Sequence, residues 1–564
     1  MSDGRKDEAQ SKGLSRRGLL GVGAGLAAAV ATADWAGALS GRASADAPAL
    51  QDAACPAGFD DPAFEFAEAT LSSLQDAMAS GKTSSRALTE AYLGRIAALD
   101  RQGPTLAAII ESNPEALQIA EALDAERKAK GSRGPLHGIP VLLKDNIATG
   151  DRMLTTAGSL ALASGPAPKD AFLVQRLRAA GAVPLGKANL SEWANFRSTH
   201  SSSGWSARGG QCRNPYALDR SPSGSSSGSG VAVAANLTAV AVGSETDGSV
   251  VSPAAASGIV GIKPTLGWVS RTGVIPIAHS QDTAGPMART VADAAALLAA
   301  LAGVDPVDAA THGAAGRALD FTRFLKPDAL RGARIGVLRE RYFGYSTHAD
   351  AIAETALKAL KDAGAELVDP ANLPTASEID TPEFEVLLFE FKADLETYFA
   401  SLGPSNKIRT LEDLIKFNES ERAREMPYFA QEIVEKAAAK GPLTDAAYKK
   451  ALATCVDASR TRGLDVVFAK FKVDALVAPT QGPAWLIDLV SGDSVSGGSS
   501  TPAAVSGYPS VTVPAGFACG LPIGLSFIGP KWSDGKIIGF AYAFEQATKV
   551  RRQPRFLKTA DLAG

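Results

Sequence analysis

Residues 221–253 read SPSGSSSGSGVAVAANLTAVAVGSETDGSVVSP, a run of serine, glycine and alanine set inside an otherwise ordinary globular sequence. A free segment of that composition is a flexible linker. This one passes directly into residues 231–235 and 239–242, small apolar side chains suited to a tightly packed helix and strand. Small side chains let backbone approach backbone and leave amide N–H groups and hydroxyls facing a common point. The segment is therefore expected to be packed core that carries a site.

Its surroundings point to an α/β fold. Residues 139–143 form a short apolar strand, 172–180 a helix stopped at Gly181, and 182–185 another strand. Thr290 should cap a helix running through Leu297, Leu298 and Leu301 to Gly303, and 334–338 return to strand. Such alternation predicts a central mixed β-sheet covered by helices on both faces. Upstream, Leu71, Leu74, Met78, Leu88, Tyr92, Leu93 and Ile96 fall at helical steps and predict an amphipathic helix pair over 65–100. Residues 382–450 are charged and helical, with Phe384, Leu387, Leu388, Phe391 and Leu395 as one apolar stripe, and should be a packed helical cover. Strand-like runs resume at 473–478 and around 509–527. No linker separates independent domains, so 46–564 are expected to form one large domain.

The 564 residues are 45% hydrophobic and 21% charged, the balance of a soluble globular protein with a large core. A formal charge of -3 leaves no electrostatic footprint for nucleic acid, and a small-molecule or peptide ligand is the expectation. The first residues differ. Ser15-Arg16-Arg17-Gly18-Leu19-Leu20 precedes a Gly/Ala/Val stretch over 21–33, the pattern of a twin-arginine signal peptide over residues 1–45. Ala43-Ser44-Ala45 and Ala31-Thr32-Ala33 are candidate cleavage sites, placing the cut after Ala45 or Ala33. The leader implies the twin-arginine translocation machinery as a partner and a periplasmic or secreted mature chain. That chain is expected not to be an integral membrane protein, since no other stretch is long and apolar enough. Cys55, Cys212, Cys455 and Cys519 form no Cys-x-x-Cys pair and are expected to be free, mostly buried thiols. His137, His200, His279, His312 and His348 show no metal-ligand spacing, so no metal and no cofactor is expected.

Several motifs then stand in a fixed order. Gly134-Pro135-Leu136-His137-Gly138-Ile139-Pro140-Val141-Leu142-Leu143-Lys144-Asp145-Asn146 comes first, followed by Thr155-Thr156-Ala157-Gly158-Ser159 and Gly186-Lys187-Ala188-Asn189-Leu190-Ser191-Glu192-Trp193. The serine-rich run follows, then Gly261-Ile262-Lys263-Pro264-Thr265 and Gly285-Pro286-Met287-Ala288-Arg289. This series resembles the amidase signature family over most of the chain beyond the leader. The resemblance implies a single amidase signature domain in which Lys144 is the catalytic lysine, Ser225 the bridging serine, Ser249 the nucleophile and Ser226 a supporting hydrogen-bond partner. It also implies a cis peptide at Gly224-Ser225.

Chemistry fits those roles. A serine hydroxyl needs a neighbouring base, and lysine serves only where burial lowers its pKa towards about 7 to 8. Lys144 ends an apolar strand, a desolvated place. Consecutive N–H groups of Thr246, Asp247 and Gly248 can act as the oxyanion hole. Asp247 stands where the family commonly has glycine, and Val251 where many members have arginine, which bears on how the site is braced and what it accepts.

Gly224-Ser225-Ser226-Ser227-Gly228 also fits the G-x-S-x-G elbow of α/β-hydrolases, with Ser226 as nucleophile, but no downstream histidine has a recognisable triad context. Gly81-Lys82-Thr83 and Gly186-Lys187 lack the rest of a phosphate-binding loop. A non-catalytic exported peptide-binding protein would account for leader and loop but not for Lys144. Within the family, residues 204–211 and 243–249 look most like peptide amidases, which implies hydrolysis of the C-terminal carboxamide of peptide amides through an acyl-enzyme. An exported amidase for aryl or short aliphatic amides is the alternative. Trp193 and Trp205 are expected in the core rather than the site.

Overall fold

The structure, a computed structural model, describes residues 58–562. The leader, both candidate cleavage sites and Cys55 lie outside the described residues.

The strands are β1 (Ile109–Ser112), β2 (Pro140–Lys144), β3 (Val183–Ala188), β4 (Trp205–Ser206), β5 (Gly210–Gln211), β6 (Val240–Glu245), β7 (Val260–Lys263), β8 (Thr283–Ala288), β9 (Arg334–Val337), β10 (Glu366–Val368), β11 (Ala475–Pro479), β12 (Ser510–Ala518) and β13 (Leu521–Ile528). β4 and β5 form a separate ribbon, and the other 11 make one sheet in the order β1-β3-β2-β6-β8-β7-β12-β13-β11-β9-β10. β2 runs parallel to both β3 and β6, while β8 lies antiparallel to β6 and β7. The sheet is mixed, as expected.

Alternation along the strands shows that both faces are covered, because neighbouring side chains point to opposite sides. On β11, Ala475 and Val477 join one apolar cluster with Leu297 and Leu298 of helix Val291–Leu301 and Phe540 and Phe544 of helix Asp534–Thr548. Leu476 and Ala478 join another, with Val386 and Phe389 of helix Asp380–Ser401 and Val467 of helix Asp465–Phe471. Among the described residues no helix is long and apolar enough to cross a membrane.

The expected elements form, with shifted boundaries. The pair over 65–100 becomes helices Leu71–Ala79 and Ser85–Ile96, because Thr70 and Ser84 cap them by accepting from Ser73 N and Ala87 N. Thr290 caps its helix by accepting from Asp293 N, and the helix ends at Leu301. The run 509–527 divides into β12 and β13, joined at Cys519 and Gly520, both with positive φ (51° and 73°), as a two-residue hairpin requires. The cover contains helices Asp380–Ser401, Leu411–Ser420, Glu432–Ala438 and Ala446–Val456. The expected stripe of its first helix packs as one face, and a second apolar face adds to it. Val386 and Phe389 face the sheet-side cluster, whereas Leu387, Leu388, Phe391 and Leu395 pack with Trp193, Phe196, Leu411 and Ile433. A helix buried on two sides carries more apolar positions than one stripe.

The serine-rich run behaves as core. Helix Ser227–Ala234 is buried at every residue, and a β-carbon on its Gly228 would lie 2.2 Å from the Ala108 carbonyl oxygen. Only glycine permits that approach of helix to sheet.

Candidate functional site

Three backbone elements converge. The C-terminal end of β2 delivers Lys144, the segment before helix Ser227–Ala234 delivers Ser225 and Ser226, and the turn between β6 and helix Val251–Ala256 delivers Ser249. Lys144 is fully buried. Its Nζ lies 2.7 Å from Ser225 Oγ, 3.0 Å from Ser244 Oγ and 3.1 Å from the Ser244 carbonyl oxygen. A neutral amine satisfies that set with two N–H donors towards Ser244 and its lone pair towards the Ser225 hydroxyl. Burial lowers the Lys144 pKa to about 7, although the charges of Asp282 and Glu245 work in the opposite direction.

Ser226 is tied to β6. Its Oγ donates to the Ser244 carbonyl (3.0 Å) and accepts from Ser244 N (3.2 Å), and its N–H donates to the Ser249 carbonyl (3.1 Å). A hydroxyl engaged by backbone on both sides is a brace rather than a free elbow nucleophile. The Gly224-Ser225 peptide is cis, as the resemblance implies. Ser249 is 8% exposed, whereas Ser225 and Ser226 are at 0%, so of the three hydroxyl-bearing residues Ser249 is the one near solvent.

The turn Thr246-Asp247-Gly248-Ser249 is held on all sides. Thr246 Oγ1 donates to Asp282 Oδ1 (2.6 Å), and Asp282 Oδ2 accepts from Ile277 N and Ala278 N. Burial raises the Asp282 pKa to about 6. Asp247 Oδ2 accepts from Thr501 Oγ1 at 2.8 Å. Gly248 has φ +79°, and a β-carbon there would sit 2.9 Å from both Ser252 Oγ and Ser500 Oγ. This is a left-handed position that glycine adopts without strain. Glu245 Oε2 accepts from Val250 N (2.8 Å) and Val251 N (3.0 Å), the groups at the start of the helix that follows Ser249. Burial raises the Glu245 pKa, and the charge of buried Lys263 acts against that rise. The Glu245 carboxyl thus lies between the N–H of Val251 and the field of buried Lys263.

Sequence reasoning named Lys144, Ser225, Ser226, Thr246, Asp247, Gly248 and Ser249, and all converge in this region. It missed Ser244, Asn146, Glu245, Gln281, Asp282, Glu383 and Thr501. Asn146 Nδ2 donates to Ser244 Oγ at 2.9 Å, and its place two residues after Lys144 was the signal that could have found it. Trp193 and Trp205 are buried in the cover. Trp193 meets Phe399 edge-on, and Trp205 packs on Phe429 with the Arg197 guanidinium 5.1 Å from its ring. Cys212 and Cys455 are free and buried, and Cys519 is free and partly buried.

Among the described residues His279, Glu390 and Asp394 form a group with the donor types of a metal site. His279 Nδ1 lies 2.8 Å from Asp394 Oδ2 and Nε2 lies 3.5 Å from Glu390 Oε1. The Asp394 hydrogen bond raises the His279 pKa above its ordinary value.

Residues 87–538 match the amidase family, and the chain belongs to that family. It is a hydrolase acting on amide bonds, with the single-domain α/β fold of the amidase signature enzymes. Among solved structures it is similar to the native peptide amidase of Stenotrophomonas maltophilia, with 52% identity, TM-score 0.84 and coverage of 88% of this chain and 100% of that one. It is also similar to a peptide amidase in complex with the competitive inhibitor chymostatin, at 53% identity, TM-score 0.85 and coverage of 87% and 100%. A probable amidase of Arabidopsis thaliana is 42% identical over 504 residues, 88% of this chain and 93% of that protein.

Proposed function

We propose that this amidase removes ammonia from the C-terminal carboxamide of peptide amides through an acyl-enzyme on Ser249. Ser249 Oγ attacks the carboxamide carbonyl carbon. Its proton passes to Ser225 Oγ as the Ser225 proton passes to the neutral amine of Lys144. The N–H groups of Thr246, Asp247 and Gly248 stabilise the oxyanion. Lys144 then returns the proton through Ser225 to the leaving nitrogen, and ammonia departs. Water, deprotonated by the same relay, attacks the ester, and the free acid and Ser249 are released. The observation that carries this reading is the 2.7 Å approach of the fully buried Lys144 Nζ to Ser225 Oγ, in a chain 52% identical to a peptide amidase.

Ammonia release from a blocked dipeptide amide, compared with cleavage of an anilide of the same acyl group, tests the substrate class. The peptide amide should be the better substrate. Preference for the anilide would replace the proposal with an aryl amidase, and no turnover of any amide would favour the peptide-binding alternative.

We propose further that residues 1–45 export the folded enzyme by the twin-arginine route to the periplasm or beyond. Replacing both Arg16 and Arg17 by lysine should leave activity in the cytoplasmic fraction and abolish processing of the leader. Equal export of wild type and this variant would overturn the assignment.

A further inference from the structure

The departure at Asp247 has a partner on the cover. Glu383, on helix Asp380–Ser401, and Gln281, on the segment before β8, are both buried. Gln281 Nε2 lies 2.9 Å from Glu383 Oε1 and 3.3 Å from the Thr246 carbonyl oxygen, so one amide group links the cover helix to the backbone of the turn. The Glu383 carboxyl also meets that of Asp247, whose other tether is the hydroxyl of Thr501. Asp247 is thus held from two elements. A glycine at this position would have neither tether.

We propose that Glu383 is a positioning residue for hydrolysis, and that with Gln281 it fixes the turn Thr246-Asp247-Gly248-Ser249 against the cover helix. Two carboxyl groups in contact away from water do not both ionise, and one proton between them turns repulsion into a hydrogen bond. Asp247 is the less buried of the two and already accepts from the Thr501 hydroxyl, so the proton sits on buried Glu383, whose pKa burial and then the charge of Asp247 raise well above its ordinary value. It donates to Asp247 with one oxygen and accepts from Gln281 with the other. The held turn supplies both Ser249 and the oxyanion N–H groups, so displacement of the turn acts on the transition state more than on substrate binding.

The proposal rests on the reading of Ser249 as nucleophile, and the two fail separately. Activity retained in Ser249→Ala removes that reading. With Ser249→Ala inactive, the Glu383 variants decide this one. The test is steady-state kinetics on a blocked dipeptide amide with Glu383→Gln, Glu383→Leu and Gln281→Leu, each checked by thermal denaturation. Glutamine reproduces a protonated glutamate, with one donor for Asp247 and one acceptor for Gln281. Glu383→Gln should keep kcat within about threefold of wild type. Loss of one oxyanion donor typically costs about 10²–10³ in kcat, and the leucine variants should lose at least tenfold in kcat with KM within about threefold. A kcat for Glu383→Leu within twofold of wild type would overturn the proposal, as would Glu383→Gln impaired as severely as Glu383→Leu. If Glu383→Leu does not fold, Gln281→Leu decides: a tenfold loss of kcat supports the proposal, and kcat within twofold of wild type overturns it.

Discussion

Ser249→Ala is expected to lower kcat by roughly 10⁶-fold, the scale met when a serine hydrolase loses its nucleophile, equivalent to about 8 kcal/mol of barrier. The fold should survive. The Ser249 backbone carbonyl, which receives the Ser226 N–H, is untouched by the change, and helix Val251–Ala256 keeps its Glu245 cap. The measurement is ammonia release beside circular dichroism and the thermal midpoint of the same preparation. A variant with native spectrum and undiminished turnover would remove Ser249 from the mechanism. Loss of both activity and spectrum would instead mark the side chain as structural.

Lys144→Met should match that loss of turnover, because nucleophile and base act as one unit and removing either costs about as much as removing both. Methionine fills similar space without a charge, so it separates chemistry from packing. Wild-type kcat/KM should rise with pH through about 7, where burial leaves the amine half neutral. Stability should change with it. The native Lys144 pKa is lowered to about 7 from an ordinary 10.5, so between those values the unfolded chain binds the extra proton and wild-type stability rises with pH. At pH 7 and below both states are charged and the full cost of burying the ammonium is present. Lys144→Met is therefore expected to be at least as stable as wild type there, with the difference shrinking towards pH 10.5. Midpoints measured from pH 6 to 10 check this. A difference that grows with pH would contradict a buried, readily neutralised amine.

Much of this was legible because the site is built from contiguous motifs. Lys144 closes a strand whose apolar run is plain in the sequence, and the Ser/Gly/Ala composition around Ser225 and Ser249 announces close packing. What stayed hidden comes back from far along the chain. Glu383 and Thr501 reach the turn across more than a hundred residues, from helices Asp380–Ser401 and Thr501–Ser506, which carry no motif. Asp282 and Gln281 precede β8 in a segment of unremarkable composition, and only its antiparallel pairing with β6 brings them to Thr246. The β12–β13 hairpin was read as one run because its turn is Cys519-Gly520 and not the Asn-Gly or Asp-Gly that usually marks such a bend. The two-sided burial of helix Asp380–Ser401 escaped for a related reason: periodicity shows that a helix has an apolar face, not how many neighbours it meets.

The approach of helix Ser227–Ala234 to the sheet, where Gly228 lies against the Ala108 carbonyl, divides the molecule into parts with unequal freedom to diverge. Around Ser225, a single added methyl group would meet backbone that has nowhere to move. The cover helices pack through larger, interchangeable apolar side chains, and volume there can be redistributed among neighbours. Sequence change is then expected to gather in the cover rather than in the serine-rich segment, so relatives can keep that segment while their covers diverge.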